Sequence, residues 1–347
     1  MRILVHEWCC SGGLAAWQHG RGVGVTAALH AEGRAMFLAL LRDACRDPEL
    51  DVTALVDVTR PVPLPARVRI HSVAVGAEVD VLVAEAGRAE MTIVVAPETD
   101  GLLASRVAAV RQAGGTVLAS DAAFLAVAAD KQATMHALAA VGVPVPAGRL
   151  LVAGAEWPAG FCTPAVRKPR DGVGGEDLVV VPRGARPPAP VPRDTRLEVL
   201  AEGVPVGVAC LCGHGPPVPL APLRQRFAAG PGSAYVGGEP LADRVAQRRA
   251  TALAVRAIAA VTRAAGGLAR GWVGVDMILG PQADGRGDRV LEVNPRLTTS
   301  FVGHAAAAAT SLVRQSIEVA AGRTVLPAAS PGAFQVVANG DRASSRD

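Results

Sequence analysis

Asp276 in GWVGVDMILG, together with Glu292 and Asn294 in LEVNPR, has the residue types and spacing to hold a hard metal ion. Positions two apart on a strand point to the same face, so Glu292 and Asn294 project side by side. If the strand carrying Asp276 pairs with theirs through the loop GPQADGRGD, the three side chains meet. Oxygen donors on a rigid sheet, with room left for waters and phosphates, suit Mg²⁺ or Mn²⁺. The plainer reading makes Asp276 and Glu292 ordinary strand-end polar residues. Both are flanked by apolar neighbours (Val275, Met277, Leu291, Val293), and a buried carboxylate needs a partner.

Lysine occurs only at Lys131 and Lys168; apart from the histidines, all other basic side chains are arginine. Lys168 lies in RKPRDGVGGED, followed closely by Gly172, Gly174 and Gly175. Such a loop can turn backbone N–H groups toward phosphate oxygens while a nearby lysine supplies a point charge. It is not a P-loop, because the G-x-x-x-x-G-K-[ST] order is absent and the loop joins two strands. A tight hairpin turn is the alternative reading. Lys131 follows Asp130 at an expected helix start, where a solvated surface charge is the alternative.

The elements that must position these residues fall into two patterns. In the first third, RILVH, VTALVD, MTIVVAPE and TVLAS read as strands, with VRIHSV as a further short one. Helical segments over Thr26–Cys45, Ala77–Glu90 and Leu102–Gln112 alternate with them. Near-continuous apolar strands separated by helices predict a parallel sheet covered on both faces, with ligands beyond the strand C-terminal ends. After residue 120 the order changes. A helical pair broken at Asp130 precedes a strand–Gly loop–strand unit, a Pro/Arg-rich connection (PRGARPPAPVPRD) and the strands RLEVLAEG and VPVGVACLCG. A long amphipathic helix, the WVGVDMIL–DRVLEVNPR hairpin and a last helix over 304–321 complete the chain.

Composition excludes several functions. The chain is 50% hydrophobic and 19% charged, so it can bury a core. Aromatics are 3% and no Lys/Arg stripe forms, so neither stacking on single strands nor phosphate-backbone binding is expected, and no nucleic-acid partner. The longest Ala/Val runs are broken by arginine and fall short of the ~20 apolar residues of a membrane span. No signal peptide is read, and the six cysteines show no disulfide framework, which together suggest a cytoplasmic protein without membrane partners. His6, Cys9 and Cys10 lack the second cluster that zinc requires.

Taken in order, DK at 130–131, RKPRDGVGG, EVLAEG, VDM and EVNPR resemble the ATP-grasp superfamily over roughly residues 121–325. VHEWCCSGGL, APETDG and NPRLTTSFVG further resemble the tyramine–L-glutamate ligase-like enzymes associated with methanofuran biosynthesis. The resemblance implies an α/β and α+β fold: a Rossmann-like domain (1–120), a small subdomain with the Gly loop (121–195), a C-terminal subdomain with the metal site (196–330) and a partly disordered tail (331–347). It also implies an ADP-forming carboxylate–amine ligase acting through an acylphosphate. ATP would be the nucleotide, with small-molecule carboxylate and amine substrates, and the oligomeric state open, with a homodimer as the candidate assembly. Lys131 and Lys168 would meet the α/β-phosphates, Asp276, Glu292 and Asn294 the metal, and Arg296 the transferring phosphoryl. Glu198, Val199 and Leu200 would receive adenine. The acid that such chains carry after the hinge glycine is absent behind Gly203, which leaves Glu202 for the ribose. The carboxylate pocket is expected where Arg296, Thr298, Thr299 and Ser300 meet the first sheet, with Ser11, Gly12 and Gly13 offering backbone N–H groups. Glu98 would pair an ammonium there, or instead cap the turn at Gly101. A nucleotide-binding protein without turnover is one competitor. A nicotinamide oxidoreductase is another, although SGGLAAW does not fit its glycine fingerprint.

Overall fold

The computed structural model describes residues 1–21, 27–172, 178–185, 190–227, 235–325 and 334–335. Alternation of apolar strands and helices builds β1 (Arg2–Glu7), α1 (Gly13–Arg21), α2 (Ala27–Cys45), β2 (Asp51–Asp57), β3 (Arg69–Val73), α3 (Glu78–Ala86), β4 (Met91–Val95) and α4 (Leu102–Gln112). The strands form a parallel sheet in the order β3-β2-β1-β4, as the apolar runs predict. TVLAS does not extend it as a full strand. It contributes one bridge, Val117 beside Thr92, before Ser120 turns away to accept from the Arg270 N–H. The Gly-rich stretch after β1 is helical over Gly13–Arg21, and residues 22–26 lie outside the described residues.

The pair α5 (Ala122–Ala129) and α6 (Lys131–Ala139) breaks at Asp130, whose extended backbone and side chain cap the Gln132 and Ala133 N–H groups. A second, antiparallel sheet of β5 (Gly148–Leu151), β6 (Ala165–Pro169), β7 (Val179–Val181) and β8 (Thr195–Val199) runs β5-β8-β6-β7. The expected loop glycines Gly174 and Gly175 lie outside the described residues, as do residues 186–189 of the Pro/Arg-rich connection.

The third sheet holds β9 (Val204–Cys212), β10 (Val218–Pro219), β11 (Leu223–Phe227), β12 (Tyr235–Pro240), β13 (Gly271–Leu279), β14 (Arg289–Asn294) and β15 (Phe334–Gln335). Its order is β14-β13-β9-β11-β12-β15, with β10 on β9. Helix α7 (Arg244–Ala265) packs on it through Ala250, Ala254, Ala257 and Ala260, small residues that allow close approach. The expected last helix is two, α8 (Phe301–Ala307) and α9 (Leu312–Ala320). Ser311 caps the second, and Asp43 of α2 accepts from Ser311 and the Val313 N–H between them. Of the expected tail only Phe334 and Gln335 are described, paired with β12. Among the described residues no helix is long and apolar enough to cross a membrane.

One core joins the first sheet, α2, α8 and α9 to Leu211 and Trp272 of the third sheet, while the apolar cluster of the second sheet among the described residues is small: Leu151, Ala165, Val191 and Leu197. Gly203 connects those two parts. Its φ of 146° suits glycine, and a Cβ there would lie 2.2 Å from the Leu279 carbonyl oxygen. Gly203→Ala should therefore lower the unfolding free energy by about 1–3 kcal/mol in urea titration.

Candidate active site

A cavity of about 450 Å³ lies where the three sheets meet. Asp276 on β13 is the register partner of Glu292 on β14, and Gly274 that of Asn294, so the expected hairpin brings all three predicted metal ligands to one wall. Asn294 donates to one Asp276 oxygen (2.9 Å) and Gln225 of β11 donates to the other (2.7 Å). Burial, and then the neighbouring Glu292 charge, push Asp276 up to about 6. Burial would raise Glu292 as well, but Lys131 and Lys168 outweigh it and hold Glu292 below the usual carboxylate range. Two adjacent carboxylates and an amide, one of the acids raised by burial and then by its neighbour's charge, form a hard oxygen set that fits a divalent cation. Among the described residues no three His, Cys, Asp or Glu side chains group closely enough to hold a metal by themselves.

Both lysines are buried and line this wall, which removes the surface reading of Lys131. The Lys131 ammonium pairs with Glu292 (2.8 Å) and donates to the Gly172 carbonyl (2.9 Å). The Lys168 ammonium pairs with Glu198 (2.9 Å) and donates to the Leu291 carbonyl (2.9 Å). Each ammonium has three N–H donors, and among the described residues two of the three are engaged. Gly172 holds φ of 133°, a conformation suited to glycine, and lines the cavity.

Other predicted residues are placed differently. Glu198, Val199 and Leu200 line the cavity, but Lys168 and Arg196 take both Glu198 oxygens. The Val199 and Leu200 N–H groups donate to the Ala147 and Pro164 carbonyls, leaving side chains and carbonyls to face a ligand. Glu202 is exposed and is not among the lining residues. Nor are Ser11, Gly12 and Gly13. Ser11 is buried between the Glu7 N–H and the Leu55 carbonyl, the Ser11 and Gly13 N–H groups serve the Glu7 and Trp8 carbonyls, and Gly13 packs under the Trp8 ring. His6 is buried against Glu78 (2.7 Å).

Arg296, Thr298, Thr299 and Ser300 all line the wall facing the first sheet. Arg296 Nε donates to Glu98 (2.8 Å) and its Nη1 to the Leu297 carbonyl (3.1 Å), whereas Nη2 has no hydrogen-bond partner among the described residues. Burial would lower Arg296, but Glu98, Glu292 and Glu32 outweigh it and raise it. Glu98 therefore meets a guanidinium of its own chain, and Gly101 is turned by the Glu98 carbonyl instead of its side chain. Trp272 donates to Thr298 (3.0 Å), which shares a hydrogen bond with Ser300 (2.9 Å).

Gln225 and Glu32 also line the cavity and were not found by sequence reasoning, whereas Glu7, also lining it, stands at the C-terminal end of β1, where a parallel sheet is expected to bind ligands. Gln225 lies on a strand with no alternation signal, and Glu32 on a helix read only for its apolar spacing. Burial pushes Glu32 from 4.5 up to about 7, with Arg296 and the Thr299 hydroxyl opposing. The folded chain thus holds this proton more tightly than the unfolded one. Wild-type stability should fall as pH rises from 4.5 through about 7 on this account. Glu32→Gln, which mimics the protonated acid, should match wild type near pH ~4 and exceed it by about 1–3 kcal/mol near pH ~8 in urea unfolding.

Comparison with known proteins bears on the family and the fold. Residues 128–300 match the family model of the ATP-grasp domain, and residues 50–124 that of the pre ATP-grasp 3 domain. No curated protein matches the chain in sequence. An ATP-grasp superfamily protein from Archaeoglobus fulgidus superposes with a TM-score of 0.67 at 22% identity, over 94% of this chain and 90% of that one. N5-carboxyaminoimidazole ribonucleotide synthetase from Thermotoga maritima gives 0.61 at 17%, over 96% and 79%. D-alanine–D-alanine ligase from Bacillus anthracis gives 0.58 at 15%, over 92% and 97%. With the pre-ATP-grasp and ATP-grasp models matched in sequence order and the same fold in these structures, the chain belongs to the ATP-grasp superfamily.

Proposed function

We propose that the protein is an ATP-dependent, ADP-forming ligase that joins a carboxylate to an amine through an acylphosphate. The observation that carries this reading is the meeting of two buried ammonium groups on consecutive residues of β14, Leu291 and Glu292, beside the Asp276–Asn294 contact. Phosphoryl transfer requires little covalent work from a protein; it requires positioned cations around the transferring group. Lys131 and Lys168 would each direct their remaining N–H toward phosphate oxygens. Asp276, Glu292 and Asn294 would hold Mg²⁺ or Mn²⁺, which neutralises phosphate charge when bound. Arg296, with Nη2 available, would meet the charge that develops on the transferred phosphoryl and the acyl oxygen. Glu198 would keep Lys168 in place between Leu291 and the adenine side of the cavity, where Val199 and Leu200 lie.

Two of the neighbours are named as a synthetase and a ligase, which supports the reaction class without specifying substrates. The motifs near residues 1–14, 96–101 and 294–303 favour glutamate as acyl donor and tyramine or a similar amine as acceptor, the pairing of methanofuran biosynthesis. Mixing the protein with Mg-ATP, glutamate and tyramine should yield γ-glutamyltyramine with stoichiometric ADP by mass spectrometry. Ligation of another acid alone would keep the reaction and reject this substrate, and ATP binding without ADP release would point to a nucleotide-binding protein without turnover.

Residue tests separate the parts. Glu292→Ala should abolish nearly all turnover and, by leaving Lys131 buried without its carboxylate, cost about 3–5 kcal/mol of stability while keeping the circular dichroism spectrum of a folded chain; near-normal turnover would reject the metal assignment. Lys168→Met should weaken ATP binding by about 1–3 kcal/mol in calorimetry, the range for a lost charge-assisted hydrogen bond. Unchanged affinity would make Lys168 a purely structural partner of Glu198.

A further inference from the structure

The geometry points to Glu32, on α2 of the N-terminal domain, as the group that takes the proton from the attacking amine; this rests on the ligase reading above. Five carboxylates line the cavity: Glu7, Glu32, Glu198, Asp276 and Glu292. Four are already engaged. Glu198 is held by Lys168 and Arg196, Glu292 by Lys131, and Asp276 by the Gln225 and Asn294 amides. Glu7 is deeply buried, accepts from the Cys10 N–H (2.9 Å), and lies so close to α2 that a Cβ on Gly33 would meet its Oε1 at 2.6 Å. Glu32 alone is loosely held: its one hydrogen bond among the described residues is from the Thr299 hydroxyl at 3.4 Å, and no cation pairs with it there.

Its place suits the role. Thr299 is three residues from Arg296, and Arg296 and Glu32 feel each other's charge. Among the described residues, the groups that interact with Glu32 are Arg296 and Thr299 from the segment after β14, Tyr235 from β12 and Cys9 after β1, with Glu7 beside the neighbouring Gly33. Leu29 and Met36, one turn to either side of Glu32 on α2, also line the cavity, an apolar flank along which an amine would carry its charge only against an acid. A primary amine arrives as an ammonium at neutral pH. A carboxylate lifted by burial to about 7 is well matched to removing that proton.

Glu32 accepts one proton from R–NH₃⁺, and the freed nitrogen lone pair forms the C–N bond to the acyl carbon. The C–O bond to phosphate then breaks, its electron pair leaves with the phosphate, and the second nitrogen proton goes to that phosphate to give HPO₄²⁻. Glu32 returns its proton to solvent after product leaves.

Hydroxylamine, already uncharged at neutral pH, captures an acylphosphate without a base and so separates the two half-reactions. Wild type is assayed with Mg-ATP, hydroxylamine and each common amino acid as carboxylate. The acid that gives hydroxamate is then offered tyramine and a panel of simple primary amines. Glu32→Gln should form hydroxamate within about twofold of wild type and bind ATP equally well, yet form amide about 100-fold more slowly or worse. Its amide rate should climb with the free-amine fraction at high pH, in place of the wild-type rise through about pH 7. Glu32→Asp should recover part of the loss. Amide formation by Glu32→Gln within about threefold of wild type, or an equal fall in hydroxamate and amide, would overturn the assignment while leaving the ligase reading standing. Absence of hydroxamate or amide from wild type with every acid and amine would overturn the ligase reading, and this inference with it.

Discussion

Two buried ammonium groups need carboxylates, and that need ties the molecule together. Lys131 comes from the start of α6, Lys168 from β6 of the second sheet, and both end on β14 of the third. A buried charge without a partner is unfavourable by several kcal/mol, and removing one member of a buried pair typically costs about 3–5 kcal/mol. Glu292 and Glu198 therefore have to sit where they do once the lysines are inside. The same pairing holds Glu292 ionised while its neighbour Asp276 is pushed up to about 6, so adjacent acids on one hairpin have opposite proton affinities.

The second sheet shows how much depends on such contacts. Its own core is four residues, against the broad apolar clusters of the other two sheets. Polar links supply much of its attachment: Arg170 to Asp130, Arg196 to Gln132, the Lys131 N–H to the Arg170 carbonyl, and Lys168 to β14. The helix cap at Asp130 is part of this set, because the carboxylate that starts α6 also receives Arg170. The element that orients Lys131 is thus the element that docks the sheet carrying Lys168.

The N-terminal domain meets the same wall from the other side. A shared core runs from the first sheet through Phe301 and Trp272, and the buried Arg296–Glu98 pair crosses it. This brings α2, with Glu32, against Thr299 at the edge of the ATP-grasp domain. The cavity is accordingly cationic and oxygen-rich on the β14 side, and apolar with acids on the α2 side.

Strand alternation and one hairpin loop were enough to read Asp276, Glu292 and Asn294 as neighbours, because both rules act over a few residues. The rarity of lysine singled out Lys131 and Lys168 for the same local reason, and the parallel first sheet followed from its apolar runs. What the sequence by itself could not determine is how each polar group is satisfied. The backbone donors at Ser11 and Gly13 looked available, yet turns within the same segment take them. Glu198 looked free for adenine, yet Arg196 and Lys168 claim it. Gln225 and Glu32 reach the cavity from a strand without alternation and a helix from another domain, across separations of 51 residues to Asp276 and 267 to Thr299. Hydrogen-bond satisfaction and long-range apposition are properties of the packed chain, so only the tertiary structure decides which of the polar side chains remain free to act.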